Sequence, residues 1–102
     1  MIHEVEQGRL FQGTEEQIAY TLTTTPWGAS PSSITVKAYD VTSGLVDVSS
    51  TVLLGTASAV GDVITTPLIR SLTEGKLYRV EVKFTCSKGN VLECFFEIQT
   101  ER

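Results

Sequence analysis

The chain has 102 residues, the size of one ordinary domain, and its 41% hydrophobic content is that of a globular protein with its own core. A formal charge of −4 opposes broad affinity for phosphate backbones, which comes from clustered Lys and Arg releasing counterions, so nucleic acid is excluded as a partner. No apolar stretch approaches bilayer length, and Ile2-His3-Glu4-Val5-Glu6-Gln7 after Met1 has neither a basic nor an apolar leader pattern, so no membrane is expected and synthesis in a cytoplasm is the simplest reading.

Residues 1–13 mix charges with isolated Val5, Leu10 and Phe11 and are expected to form an N-terminal arm or edge strand. Residues 14–102 are expected to be a single β-sandwich domain. From Gln17 to Thr25 the alternation is clean, with Ile18, Tyr20 and Leu22 on one face and Ala19, Thr21 and Thr23 on the other. Pro26-Trp27-Gly28-Ala29-Ser30-Pro31 then breaks regular structure, because proline fixes φ and lacks an amide donor. Ile34, Val36 and Ala38 are inward on the next strand, and Lys37 and Tyr39 outward. Thr42-Ser43-Gly44 reads as a turn, Ser50 to Leu54 as a short strand, and Gly55 to Asp62 as a loop of small residues. Pro67 inside Val63-Ile64-Thr65-Thr66-Pro67-Leu68-Ile69 places that strand at or near a sheet edge, where a missing donor does no harm.

The last third is the best patterned. Tyr78, Val80, Val82 and Phe84 line an inner face with Arg79, Glu81 and Lys83 outside, and Leu92, Cys94, Phe96 and Ile98 are matched by outward Glu93, Phe95, Glu97 and Gln99. A hairpin across Lys88-Gly89-Asn90 would set Phe84 opposite Cys94, Val80 opposite Ile98 and Glu81 opposite Glu97. Cys86 and Cys94 then become diagonal neighbours, both read as reduced, buried hydrophobes. About seven short antiparallel strands with no convincing helix make an all-β, immunoglobulin-like or fibronectin type III-like sandwich.

Reactive chemistry is sparse. His3 is the only histidine and is far in sequence from any patterned nucleophile, so no Ser-His-Asp or Cys-His site is read. Glu81 and Glu97 could pair as acid and base, but beside Arg79 and Lys83 they read as a solvated charge lattice. Two cysteines without neighbouring ligands are too few for structural zinc, and Asp40, Asp47 and Asp62 match no calcium-loop spacing. No phosphate-cradling glycine motif occurs. Neither a catalytic, a cofactor nor a metal site is assigned. Candidate partner contacts are Trp27, a tryptophan between two turn prolines that either anchors a partner or plugs the sandwich end, and the outward Tyr39 and Phe95, the latter beside Lys83. Tyr78 fits a structural tyrosine corner, its hydroxyl bonding backbone within Leu72 to Gly75.

Leu72-Thr73-Glu74-Gly75-Lys76-Leu77-Tyr78-Arg79-Val80-Glu81-Val82 resembles the turn into the sixth strand of fibronectin type III and bacterial immunoglobulin-like domains. The stretch from Asp40 to Arg102, through Gly75, Tyr78, Arg79, Val80, Gly89, Asn90, Glu93, Phe96, Ile98, Glu101 and Arg102, is similar to small tailed-phage structural proteins of the fiber-tail adaptor or virion-associated type. That resemblance implies a non-enzymatic virion or prophage protein, without cofactor, joining tail, neck or fiber components. Its implied partners are other virion proteins and further copies of itself in a homo-oligomer, and its implied location is the virion. The alternative is a carbohydrate-binding or adhesion module of fibronectin type, which wants exposed aromatics on one face.

Overall fold

The computed structural model describes residues 2–24, 29–42 and 44–101, with residues 2–9 as backbone. It is an immunoglobulin-like β-sandwich. Five strands form the larger sheet in the order β1 (Ile2–Gly13), β10 (Val91–Glu101), β9 (Leu77–Thr85), β3 (Ser32–Asp40) and β4 (Val46–Asp47). The opposing layer combines β2 (Thr21–Thr23), β7 (Val63–Thr65) and β6 (Ser58–Val60) with the short pair β5 (Leu53–Leu54) and β8 (Leu68–Ile69). An Ile18–Ile69 bridge carries the β2 side of that layer alongside β8.

The core follows the alternation. Val80, Val82, Phe84, Cys94, Phe96 and Ile98 from the long hairpin, Ala38 from β3, and Leu22, Ile64 and Ile69 from the facing layer are all buried. Tyr20 and Phe96 meet across the layers with ring centroids 5.6 Å apart and planes tilted by 56°. Truncating a ring as deeply buried as Phe84 to alanine costs about 3–5 kcal/mol in comparable cores.

Four sequence expectations are corrected. The hairpin register is Phe84 to Leu92, Val82 to Cys94 and Tyr78 to Ile98, two residues from the expected pairing. Cys86 N–H donates to Asn90 O at 2.8 Å, so the loop is Ser87-Lys88-Gly89, with Gly89 taking the left-handed position at φ 87°. The face assignment survives because a two-residue shift preserves parity. Arg79, not Glu81, therefore faces Glu97, and Cys86 and Cys94 are not diagonal neighbours.

The run expected to form one edge strand divides into β7, flanked by β2 and β6, and β8, paired with β5. Pro67 falls in the break between β7 and β8, where no ladder donor is needed. There the Thr66 hydroxyl accepts the Tyr20 N–H at 2.9 Å, and Thr66 N–H donates to Tyr20 O at 2.8 Å.

The small-residue stretch contains β6, which pairs with β7 through a tight Gly61-Asp62 connection with Gly61 at φ 60°. Of the strand expected over Ser50 to Leu54, Leu53–Leu54 is β5, whereas Ser49–Val52 forms one helical turn, α1. Asp47 Oδ1 accepts the Ser49 N–H at 2.9 Å, and this local bond turns the chain away from β3.

Candidate interaction surface

The outer face of the large sheet is built by the residues that alternate with the core. Cross-strand neighbours run Tyr39, Arg79, Glu97 in one row, Lys37, Glu81, Phe95 in the next and Thr35, Lys83, Glu93 in the third. Arg79 Nε lies 3.0 Å from Glu81 Oε2, without the alignment of a hydrogen bond. The Arg79 guanidinium sits 3.9 Å from the centroid of the Phe95 ring. Phe95 is thus half-buried under Arg79, with Lys83 its other diagonal neighbour on β9, and Tyr39 is half-buried in the adjacent row. A depression of about 270 Å³ between Thr35, Lys37, Tyr39, Glu81, Lys83 and Glu93 carries two ammonium groups and two carboxylates, which cancel. This face is a lattice of paired charges and favours neither sign of ligand.

Thr73 N–H donates to Tyr78 Oη at 2.9 Å, tying the turn before β9 to a ring buried at its start. Nearby, Asp40 is held below the usual aspartate range, first by the Thr42 N–H and then by the Lys76 ammonium at 3.0 Å. Lys76 is raised in turn by the same bond. The Cys94 thiol is pushed up to about 12 by burial, which makes it a poor nucleophile, and both cysteines are free and buried.

At the opposite end of the sandwich, three loops are tied together. Thr24 N–H donates to Asp62 O at 2.7 Å, Ser30 N–H to Asp62 Oδ1 at 3.0 Å and Ser87 N–H to Ala29 O at 2.9 Å. These bonds fix the chain at Thr24 and at Ala29 and Ser30, while Trp27 lies outside the described residues. Val60, Val63 and Val91 are exposed on the strand ends around these loops.

The two edges of the large sheet differ from its face. On β1, Thr14 N–H donates to Glu101 O at 3.1 Å, whereas Gly13 N–H points outward to Glu16 Oε1 at 2.6 Å and Gly13 O accepts the Glu16 N–H at 3.3 Å. The Gly13 end of this edge is therefore closed by Glu16. Two residues back, the Phe11 main chain faces outward by strand alternation, and its side chain is 58% exposed.

Gln12 points the other way. Its amide donates to Ile69 O at 2.7 Å and Glu16 O at 3.1 Å, and its carbonyl accepts the Tyr20 hydroxyl at 2.7 Å. This buried network locks β1 onto the facing layer, and the residue pattern of an arm rich in charges gave no sign of it.

At the far edge, β4 covers only Tyr39 and Asp40 of β3. Val48 N–H donates to Ala38 O at 2.9 Å and Ala38 N–H donates to Ser49 Oγ at 2.9 Å, after which α1 leaves the edge. Among the described residues, the outward main-chain groups of Val36 have no partner. Leu45 and Val46 stand exposed beside this edge at 64% and 57%.

Among the described residues, no three His, Cys, Asp or Glu side chains converge as a metal site would require. Among the described residues, no helix is long and apolar enough to cross a membrane.

No protein-family model matches the chain, and no curated protein does. Among solved structures it is similar to CopC from Methylosinus trichosporium OB3b, with a TM-score of 0.62 and 16% identity over 92% of this chain and 84% of that one. At that identity the likeness speaks to the sandwich fold alone.

Proposed function

We propose that this chain is a non-enzymatic virion or prophage structural protein that joins tail, neck or fiber components through protein contacts made at its sheet edges and loop end. The observation that carries this reading is the pair of open edges on one five-stranded sheet, each with exposed apolar side chains beside it: Phe11 at β1, and Leu45 and Val46 at β3 and β4. Exposed main-chain donors and acceptors of this kind pair readily with strands of other chains. The similarity of Asp40 to Arg102 to fiber-tail adaptor and virion-associated proteins supports the assignment to a phage particle, assembled in a bacterial host. A charge of −4 agrees with protein rather than nucleic acid as the contact.

The adhesion reading draws on outward aromatics, and the guanidinium over one face of Phe95 removes a surface on which a sugar ring would stack. The test is mass spectrometry of purified particles from a strain carrying the gene. The protein is expected at a fixed copy number relative to tail or neck proteins, and its absence from particles overturns the proposal.

A further inference from the structure

The directions of the strands decide how two copies of this sheet can meet. β1 is parallel to β10, β10 is antiparallel to β9, and β9 is antiparallel to β3, so the two edge-facing strands β1 and β3 run the same way. In β3, beyond the irregularity between Ser32 and Thr35, Ile34, Val36 and Ala38 are inward-facing and direct their main-chain groups away from β9, as Ala38 does toward Val48 and Ser49. In β1 the inward-facing residues Leu10 and Gln12 direct theirs toward β10, leaving Phe11 to face out. A parallel ladder needs this combination: opposite residues share a face, and one of each opposed pair points into the junction while the other points away.

We infer that copies of this chain associate side by side, β1 of one copy adding in parallel to the open edge of β3 of the next. This rests on the edge-contact reading above and names the partner as a second copy. The register is limited from both sides. Ala38 is already occupied by Val48 and Ser49, and Gly13 is occupied by Glu16. The last outward main chain free to pair on β1 is that of Phe11 and the last on β3 is that of Val36, so Phe11 stands opposite Thr35 and Gln12 opposite Val36. In that register Phe11 N–H donates to Ile34 O and Phe11 O accepts the Val36 N–H, which uses both outward groups of Phe11 and continues the sandwich's outer face without inverting it. The contact is heterologous, so it closes into a ring or extends as a filament according to the rotation between copies.

Cysteine cross-linking in the full chain tests this directly. Within one copy β1 and β3 are separated by β10 and β9, about 14 Å at ordinary strand spacing, beyond the reach of a disulfide. Opposite residues in the inferred junction are close enough, and the native cysteines are buried. The double variant Phe11→Cys with Thr35→Cys should give a ladder of disulfide-linked multimers on a non-reducing gel under mild oxidation, lost on reduction. A mixture of the two single variants should stop at dimers. Both positions are exposed, and circular dichroism checks that each variant keeps its fold.

Cross-linking of Thr35→Cys alone, at least as efficient as in the mixture, indicates a twofold contact between β3 edges and overturns the inference. Linkage of Phe11→Cys through Lys37→Cys in place of Thr35→Cys overturns the register, and the absence of any linkage overturns the association itself. None of these results bears on whether the protein is found in particles, so failure here is distinct from failure of the proposed function.

Discussion

The Gln12 side-chain amide donates to the Ile69 main-chain carbonyl at 2.7 Å, joining the first strand of the large sheet to the opposing layer. Gln12 is 1% exposed, and the Tyr20 hydroxyl completes its bonding from the other side at 2.7 Å. A parallel edge strand supported by one neighbour gains its second anchor from this residue.

Replacing Gln12 with Leu keeps the volume but leaves the Ile69 carbonyl and the Tyr20 hydroxyl without this partner. The Ile69 carbonyl keeps the Ile18 N–H, so the loss falls on the Tyr20 hydroxyl and the missing bonds of Gln12, with an expected cost of about 1–3 kcal/mol. Urea denaturation reads the loss, and hydrogen exchange should show the amides of β1 opening before those of β9.

Tyr78→Phe removes the acceptor for the Thr73 N–H and little else, since the ring stays buried. A loss of about 1 kcal/mol in equilibrium unfolding is expected. An unchanged unfolding midpoint would show that the bond adds nothing to stability.

Acid should weaken the tie between β3 and the turn before β9. The folded state lowers the pKa of Asp40, so its contribution is fully present above the ordinary aspartate value, about 3.9, and is lost as pH falls through the lower folded value. Asp40→Asn is therefore expected to be less stable than the wild type at pH 6 and to lose less stability below about pH 4. Urea midpoints across that interval check both statements.

How much of this was legible in the residues depended on how long each pattern ran. Val80, Val82 and Phe84 against Cys94, Phe96 and Ile98 repeat often enough to place faces correctly, but alternation is blind to a shift of two residues. The turn decided the register: Gly89, not Asn90, takes the left-handed position. In the opposing layer no strand exceeds three residues, too short for periodicity to register, and its ladders are patched by the Thr66 hydroxyl around Pro67. The edges were harder still. Whether Phe11 faces a neighbour or solvent is set by the direction in which β1 pairs, and pairing direction leaves no mark on composition.

Gly89 supplies a further check. At φ 87° a residue with a β-carbon is strained even though nothing crowds the position, so Gly89→Val is expected to cost roughly 1–3 kcal/mol. Gly89→Asn should cost less, because asparagine tolerates left-handed backbone. Equal losses for the two variants would contradict the assignment of the turn.

Burial of Cys94, with its thiol raised to about 12, makes it unreactive in the native state. At pH 8 iodoacetamide should leave Cys94 unlabelled in the folded protein and label it once urea has unfolded the chain. Rapid native labelling of Cys94 would contradict the packing of β10 against the core.

The central claim is that this sandwich acts through stable protein contacts rather than alone. Multi-angle light scattering on the purified chain, across a hundredfold range of concentration and again with particle proteins from the same source, measures this most directly. The account predicts a discrete multimer, or a stoichiometric complex that survives chromatography. A monomer under every condition, with no complex formed, would contradict it.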